Sequence, residues 1–262
     1  MVEKQNPFIS IIIPCYNEQK NLEHGVLGEV FDYVQAQSWT WEVRIVNDES
    51  TDKSRELVAA FIADKENFYL HDIPHGGKPA AVWEGIQQAK GDIVLFTDMD
   101  QSTPLRELDK LLPGYDAGYD VVIGSRGMTR EGFSLLRKTG SVVFRLLRQI
   151  FLLRTISDTQ CGFKSCHREA ALKVFPYLQF FRQTEQAAGW KVTAYDVELL
   201  HLWEKAGYKI QEVTVDWLNR DLSDTKSTGG DVSRYVRESW DMAKQVLRVT
   251  LNELKGAYEA VE

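Results

Sequence analysis

Four short, mostly apolar runs, each closed by a polar turn and separated from the next by an amphipathic stretch, constrain this chain more than any other feature. FISIII at 8–13 stops at Pro14, EVRIV spans 42–46, NFYLHDI spans 67–73 and DIVLFT spans 92–97. Apolar runs of about four to eight residues suit strands covered on both faces, as in a parallel sheet. Between the first two, Leu22, Val26, Val30 and Val34 recur every fourth residue, which predicts a helix over 20–36. Leu57, Val58, Phe61 and Ile62 mark a second helix, and a third is expected over 79–90. Strand and helix patterns that alternate in this way define an α/β domain, Rossmann-like and doubly wound, with helices on both faces of a mostly parallel sheet.

Beyond residue 104 the alternation loosens. PLRELDKLL predicts a helix, DVVIG a strand and VTVDW, near 213–217, another strand; a long helical pattern then runs from about 231 to 256. The 262 residues carry no internal repeat, and 44% hydrophobic side chains are enough for a sizeable core. A formal charge of −7 excludes broad binding to nucleic acid backbones. Three cysteines, Cys15, Cys161 and Cys166, show no CxxC spacing, so neither a disulfide scaffold nor a zinc ribbon is supported. Cys15 and Cys161 are expected to be packing residues. The five histidines have no paired ligand spacing; His75, just before GGK, is expected to be a solvated loop residue, with contact to a bound donor as the alternative. The first residues lack a signal-peptide pattern and no run reaches the roughly 18 apolar residues of a membrane span, so the chain as given is expected to be cytoplasmic or peripheral to a membrane.

In open α/β sheets, ligands bind beyond the carboxyl ends of the strands. Here those positions are PCYNE, NDESTD, PHGGK and DMDQ, which direct Asn17, Glu18, Asp48, Lys78, Asp98 and Asp100 to one crevice. PCYNE is neither a dinucleotide fingerprint nor a Walker cradle, and it rules against a nucleotidyltransferase loop. Asp98 and Asp100 instead offer hard carboxylate oxygens for Mg²⁺ or Mn²⁺, which in turn bridges a substrate diphosphate.

SIIIPCYNE at 10–18, VNDESTD at 46–52, GGKPAAVWEGIQQAKGD at 76–92 and FTDMDQSTP at 96–104 together resemble the donor motifs of the inverting family 2 glycosyltransferases, which have the GT-A fold. Carried over position by position, the resemblance implies that Pro14, Tyr16, Asn17 and Glu18 surround the nucleoside and that Asp48 accepts a hydrogen bond from the base. It puts Lys78 near the nucleotide, Asp98 on the ribose or sugar, and the metal on Asp98, Asp100 and Gln101. Within the family, VVIGSR at 121–126, DTQCGFK at 158–164 and the stretch opening YDVELL at 195 look most like dolichyl-phosphate β-glucosyltransferases. That likeness implies transfer of a hexose from a nucleotide sugar, with UDP-glucose favoured over GDP-mannose, to a polyprenyl or dolichyl phosphate. Arg126, Asp158, Gln160, Arg220 and Lys226 would handle the acceptor phosphate, and Asp196, Arg126 and Asp98 would form the catalytic set. The same reading divides a single domain of 1–262 into a nucleotide-sugar-binding half at about 8–104, an acceptor half at about 105–230 and a C-terminal helix at about 231–262.

A phosphate monoester has its second pKa near 6 and is already an oxyanion nucleophile at neutral pH, so such an acceptor needs no strong base. Asp196 is then either a base or an acceptor that positions Arg or Lys, and a soluble hydroxyl acceptor would require it as base. A non-catalytic nucleotide-sugar sensor is the alternative of another class. Glu198, two residues along the same helix, is expected to face elsewhere. Between 130 and 154 six basic residues face one acidic residue, on an apolar stripe that includes Leu135, Leu146 and Ile150. A basic amphipathic helix at about 134–153 fits contact with an anionic membrane surface as well as burial against the sheet. The 231–256 pattern is expected to pack in the core or a dimer rather than on a membrane, and DLSDTKSTGGD at 221–231 is expected to be a mobile loop closing over the diphosphate, or else a plain surface loop.

Overall fold

The computed structural model describes residues 7–127, 156–182, 195–223, 244 and 246–261. The four apolar runs form β1 (Phe8–Cys15), β2 (Thr40–Asn47), β3 (Phe68–Asp72) and β4 (Ile93–Phe96). With β5 (Val121–Ser125), β6 (Lys164–His167) and β7 (Ile210–Thr214) they make a seven-stranded sheet in the order β3-β2-β1-β4-β6-β5-β7. β1 lies parallel to both β2 and β4, β2 to β3, and β5 to β7. Only β6 runs the other way, antiparallel to β4 and to β5. The carboxyl ends of six strands and the beginning of β6 therefore share one edge. The chain leaves β1 towards β2 on one side and later reaches β4 on the other, so a switch point opens beside β1 at that edge.

The helices are α1 (Gln19–Glu23), α2 (Val26–Gln35), α3 (Ser54–Ile62), α4 (Lys78–Gln88), α5 (Leu108–Asp116), α6 (Arg168–Val174), α7 (Gln179–Arg182) and α8 (Tyr195–Lys205). The period-two geometry of a strand sorts β1 between two cores. Ile9, Ile11 and Ile13 join Val26, Leu27, Val30 and Val34 of α2, whereas Ile12 joins Val82 and Ile86 of α4 and Leu199 and Trp203 of α8. Both faces of the sheet are thus covered, as the apolar runs require.

Three sequence expectations change. The helix expected over 20–36 is divided into α1 and α2, because Gly25 adopts φ +84°, a left-handed conformation that breaks helical continuity. The strand expected near 213–217 runs instead over 210–214 and leaves Val215, Asp216 and Trp217 beyond its end. β6 was not foreseen: KSCH is too short and too mixed to read as a strand. The expected helix at 134–153, Lys226 and most of the 221–231 segment lie outside the described residues. Of the 231–256 pattern, residues 246–254 are helical, with Val246 and Val249 buried and Leu247, Leu251 and Leu254 exposed.

At the opposite end of the sheet from the switch point, a polar network is sealed inside. Glu42 accepts hydrogen bonds from Ser10 Oγ at 2.6 Å, from the Lys90 amide at 2.7 Å and from Arg44 Nε and Nη2 at 2.9 and 2.7 Å. Ser10 Oγ in turn accepts from the Gly91 amide at 2.8 Å, so the turn before β4 is tied to β1 and β2.

Candidate active site

At the end of β1, Asn17 takes φ +54° and its amide donates to Ser50 Oγ at 3.1 Å, while its Oδ1 accepts the Thr51 amide at 2.8 Å. The PCYNE turn is thereby tied to the loop after β2. Glu18 donates its amide to Ser54 Oγ at 2.7 Å and accepts from Asn21 Nδ2 at 2.5 Å. Burial, with Asp221, Asp100 and Asp98 nearby, pushes the Glu18 carboxyl up to about 7 despite the Asn21 hydrogen bond.

Asp48 is buried at the end of β2, and its two oxygens accept the amides of Gly76 and Gly77 at 2.7 and 2.9 Å. His75 Nδ1 lies 3.0 Å from the same carboxylate, and the His75 ring stacks on Tyr16 at 4.5 Å. His75 is solvent-exposed, as expected of a loop residue, and is also held in place beside Tyr16. Burial raises the Asp48 carboxyl above its ordinary range even against these donors.

GGK ends at Lys78, the first residue of α4, whose ammonium pairs with Asp98 Oδ1 just after β4. Asp98 Oδ2 packs against Gly162, where a Cβ would lie only 2.0 Å from it. Asp100 Oδ1 accepts the Ser102 amide at 2.8 Å, and burial, then the charges of Asp98 and Asp221, raise its carboxyl. Gln101, expected among the metal ligands, is buried with φ +49° and turns its Nε2 onto the Asp98 carbonyl at 2.9 Å. Its amide nitrogen closes the DxD turn.

Of the residues expected on the acceptor side, Arg126, Asp158 and Gln160 gather around the segment 158–164, which enters β6. Asp158 clamps Arg126 through Nε at 2.7 Å, Nη2 at 2.8 Å and the Arg126 amide at 3.0 Å. The Arg126 guanidinium also lies 5.6 Å from the centre of the Trp217 ring. Gln160 Nε2 contacts Thr159 Oγ1 at 3.4 Å, and its amide donates to Asp158 Oδ1 at 3.1 Å. Lys164, fully buried, donates to the Cys161 carbonyl and, at 2.7 Å, to Asp196 Oδ1. Asp196 thus has a lysine partner, in keeping with the positioning alternative. Glu198 does face elsewhere: it accepts from the Gln179 amide at 2.9 Å, from Tyr258 Oη at 2.7 Å and from Arg248 at 2.9 Å.

Arg220 is turned away from this cluster. Its guanidinium forms a two-pronged pair with Glu29 of α2, at 2.7 and 2.5 Å, and its amide donates to Ser102 Oγ at 3.2 Å. The sequence reading missed Gly162, Lys164 and Asn21, although the first two stand inside the DTQCGFK string. Cys15 and Cys161 are buried, and burial raises both thiols, which suits packing residues rather than nucleophiles.

A doubly wound sheet whose switch point collects the Asp98–Asp100 turn, a lysine at the start of α4 and an arginine beyond β5 is the arrangement of a glycosyltransferase of the GT-A fold. Residues 10–175 match the model of Glycosyl transferase family 2, and the chain belongs to that family. It is 31% identical over 236 residues to a dolichyl-phosphate beta-glucosyltransferase of Trichomonas vaginalis, an alignment covering 85% of this chain and 69% of that one. Among solved structures, mannosyl-3-phosphoglycerate synthase from Rubrobacter xylanophilus superposes with a TM-score of 0.65 at 15% identity, covering 96% of this chain and 76% of that one. Glucosyl-3-phosphoglycerate synthase from Mycobacterium tuberculosis, in complex with Mn²⁺, UDP and glucosyl-3-phosphoglycerate, superposes at 0.61 and 18% identity, covering 93% and 80%. These likenesses bear out the GT-A fold and the glycosyltransferase assignment.

Proposed function

We propose that this glycosyltransferase is a metal-dependent, inverting enzyme that moves glucose from UDP-glucose to a polyprenyl or dolichyl phosphate. The observation that carries the reading is the segment 158–164, which holds Asp98, Arg126 and Asp196 around one crevice through Gly162, Asp158 and Lys164. The likeness to a dolichyl-phosphate beta-glucosyltransferase supports the acceptor and the sugar.

The residues present fit a divalent cation. Asp100 and Asp98 supply hard oxygen donors, and the mutual repulsion of Asp98, Asp100, Asp221 and Glu18 is what a cation relieves. Among the described residues no group of three or more His, Cys, Asp or Glu side chains forms a cage. Asp98 and Asp100 would be the residues of this chain that hold the cation. When bound, such a cation supplies neutralisation of the departing nucleoside diphosphate.

The chain's own side chains do the rest. Tyr16 and its stacked partner His75 form an aromatic wall for the nucleobase, on a loop that Asp48 fixes through the Gly76 and Gly77 amides. Lys78 places an ammonium beside Asp98, at the junction of diphosphate and sugar. Asp158 takes Arg126 Nε and Nη2, which leaves the Nη1 hydrogens for the acceptor phosphate, while Trp217 covers the guanidinium. The phosphate attacks as an oxyanion, so Asp196 has no proton to remove and serves to orient. No helix among the described residues is long and apolar enough to cross a membrane, and the basic segment 134–153 is the proposed contact with the cytoplasmic face of an anionic bilayer.

The test is a mass-resolved transfer assay with Mg²⁺ or Mn²⁺, UDP-glucose, GDP-mannose and a short-chain polyprenyl phosphate. A glucosyl phospholipid that disappears on chelation is the expected product. A mannosyl product overturns the donor assignment, and donor hydrolysis without a lipid product overturns the acceptor. Asp196→Asn separates the acceptor classes, because a hydroxyl acceptor loses turnover of roughly 10²-fold or more without its base.

A further inference from the structure

Glu212 lies on β7, the last strand of the sheet, in register with Ile123 of β5. Its half-buried side chain is turned onto the two residues that lead into the segment 158–164. Oε1 accepts Ser157 Oγ and the Asp158 amide, both at 2.7 Å, and Oε2 accepts the Ser157 amide at 2.8 Å. Two consecutive amides and a hydroxyl on one carboxylate make charge-assisted hydrogen bonds, stronger than neutral ones, and they fix the backbone at this turn. Ile156, one residue earlier, is buried in the apolar cluster that also holds Ile123, so the turn is anchored by packing as well. Asp158 then directs its own carboxylate the other way. Its Oδ2 accepts Arg126 Nε at 2.7 Å and the Arg126 amide at 3.0 Å, and its Oδ1 accepts Nη2 at 2.8 Å. Glu212 thereby holds the backbone of the residue that holds Arg126, in an unbroken chain of hydrogen bonds from the outer strand to the crevice.

We propose that Glu212 is a positioning residue: through Ser157 and Asp158 it sets the angle of the Arg126 guanidinium, so that the edge Asp158 leaves open meets the acceptor phosphate. The proposal rests on the reading of Arg126 as the phosphate handle. A guanidinium recognises phosphate through a planar fork of N–H donors, so its tilt matters as well as its charge. The long arginine side chain has many rotamers, and holding it in one of them takes a clamp that is itself held. Glu212 has no need to touch the acceptor, because the amides and the hydroxyl occupy its oxygens while Asp158 faces the arginine.

Glu212→Ala and Glu212→Gln are compared with wild type, alone and combined with Asp158→Ala. In the ligand-free protein, proton–nitrogen correlation spectra follow solvent exchange of the Arg126 Nε proton, whose signal is assigned by its loss in Arg126→Lys. Exchange is expected to be about tenfold faster in Glu212→Ala and intermediate in Glu212→Gln, which keeps one accepting oxygen. In steady-state transfer from UDP-glucose, KM for a short-chain polyprenyl phosphate is expected to rise about tenfold in Glu212→Ala, while UDP affinity by calorimetry stays within about twofold of wild type. With Asp158→Ala already present, Glu212→Ala should add less than about twofold to either readout, since the link it acts through is gone. An unchanged Arg126 proton in Glu212→Ala overturns the proposal. So does a loss of UDP affinity equal to the loss for the lipid phosphate, which would mark a general structural defect, and so does full additivity with Asp158→Ala. A wild type that forms no glycosyl phospholipid overturns the acceptor reading instead, and exchange of the Arg126 proton then decides whether Glu212 positions it.

Discussion

Gly162 contributes no side chain, yet it determines where Asp98 stands. A methyl group there would lie 2.0 Å from Asp98 Oδ2, too close for any rotamer of a paired carboxylate to ignore, and Asp98 is the partner of Lys78. Gly162→Ala is therefore expected to displace Asp98 by about an ångström and to lower kcat on the order of 10²-fold, with the far-ultraviolet spectrum unchanged. Turnover within threefold of wild type would show that Asp98 tolerates the shift. The string DTQCGFK stands out in the sequence through its resemblance, but its physics does not. Gly162 meets Asp98, and Lys164 meets Asp196, only because β6 pairs antiparallel with β4, and nothing local announces that pairing. A fully buried lysine also runs against what burial statistics lead one to expect. The proposed donor side is different: Asn17, Glu18, Asp48, Lys78, Asp98 and Asp100 each follow or end a strand-to-helix turn, and turn chemistry and strand ends are local.

At the level of elements, the segment after β7 behaves as a strap. Leu218 donates its amide to the Ser102 carbonyl at 2.8 Å, Arg220 to Ser102 Oγ at 3.2 Å, and Leu222 to Asn21 Oδ1 at 3.0 Å, so the segment crosses the DxD turn and ends on α1. Asn21 is the buried fastener, since its Nδ2 also reaches Glu18 at 2.5 Å. The pair between Arg220 and Glu29 is more exposed and contributes little on general grounds. Asn21→Ala is expected to speed amide hydrogen exchange across 218–222 at least tenfold, at a global cost of about 1–2 kcal/mol. Unchanged exchange there would assign the strap's hold to Ser102 or Arg220 instead. None of this was legible in sequence, because Asn21 and Leu222 lie at opposite ends of the chain and helix periodicity covers α1 and α2 as one element. The division at Gly25 is what brings the short α1 up to the strap.

The molecule as a whole separates chemistry from cohesion along the strand axis. Six strands end, and β6 begins, at the edge that carries Lys78, Asp98, Asp100, Arg126 and Asp196, while the network of Ser10, Glu42, Arg44, Lys90 and Gly91 lies near the other edge. The sheet itself was legible in sequence because strands buried on both faces become unbroken apolar runs; Glu42 and Arg44 were read as ordinary strand residues because a buried ion pair leaves no pattern. Both are almost fully buried, and Arg44 also stacks on Tyr69 at 4.6 Å and approaches His71 Nε2 at 3.0 Å. Removing one member of such a pair leaves a charge in low dielectric, which costs more than the pair contributes. Arg44→Met is therefore expected to lower unfolding free energy by about 3–5 kcal/mol in urea titrations, since Glu42 keeps Ser10 and the Lys90 amide but loses its cation. Donor affinity measured at a temperature where the variant stays folded should match wild type, because no residue of the network touches the crevice. A variant that instead keeps its stability and loses donor binding would mean that the two edges are coupled through β1 and β2, and the separation drawn from the sheet would fail.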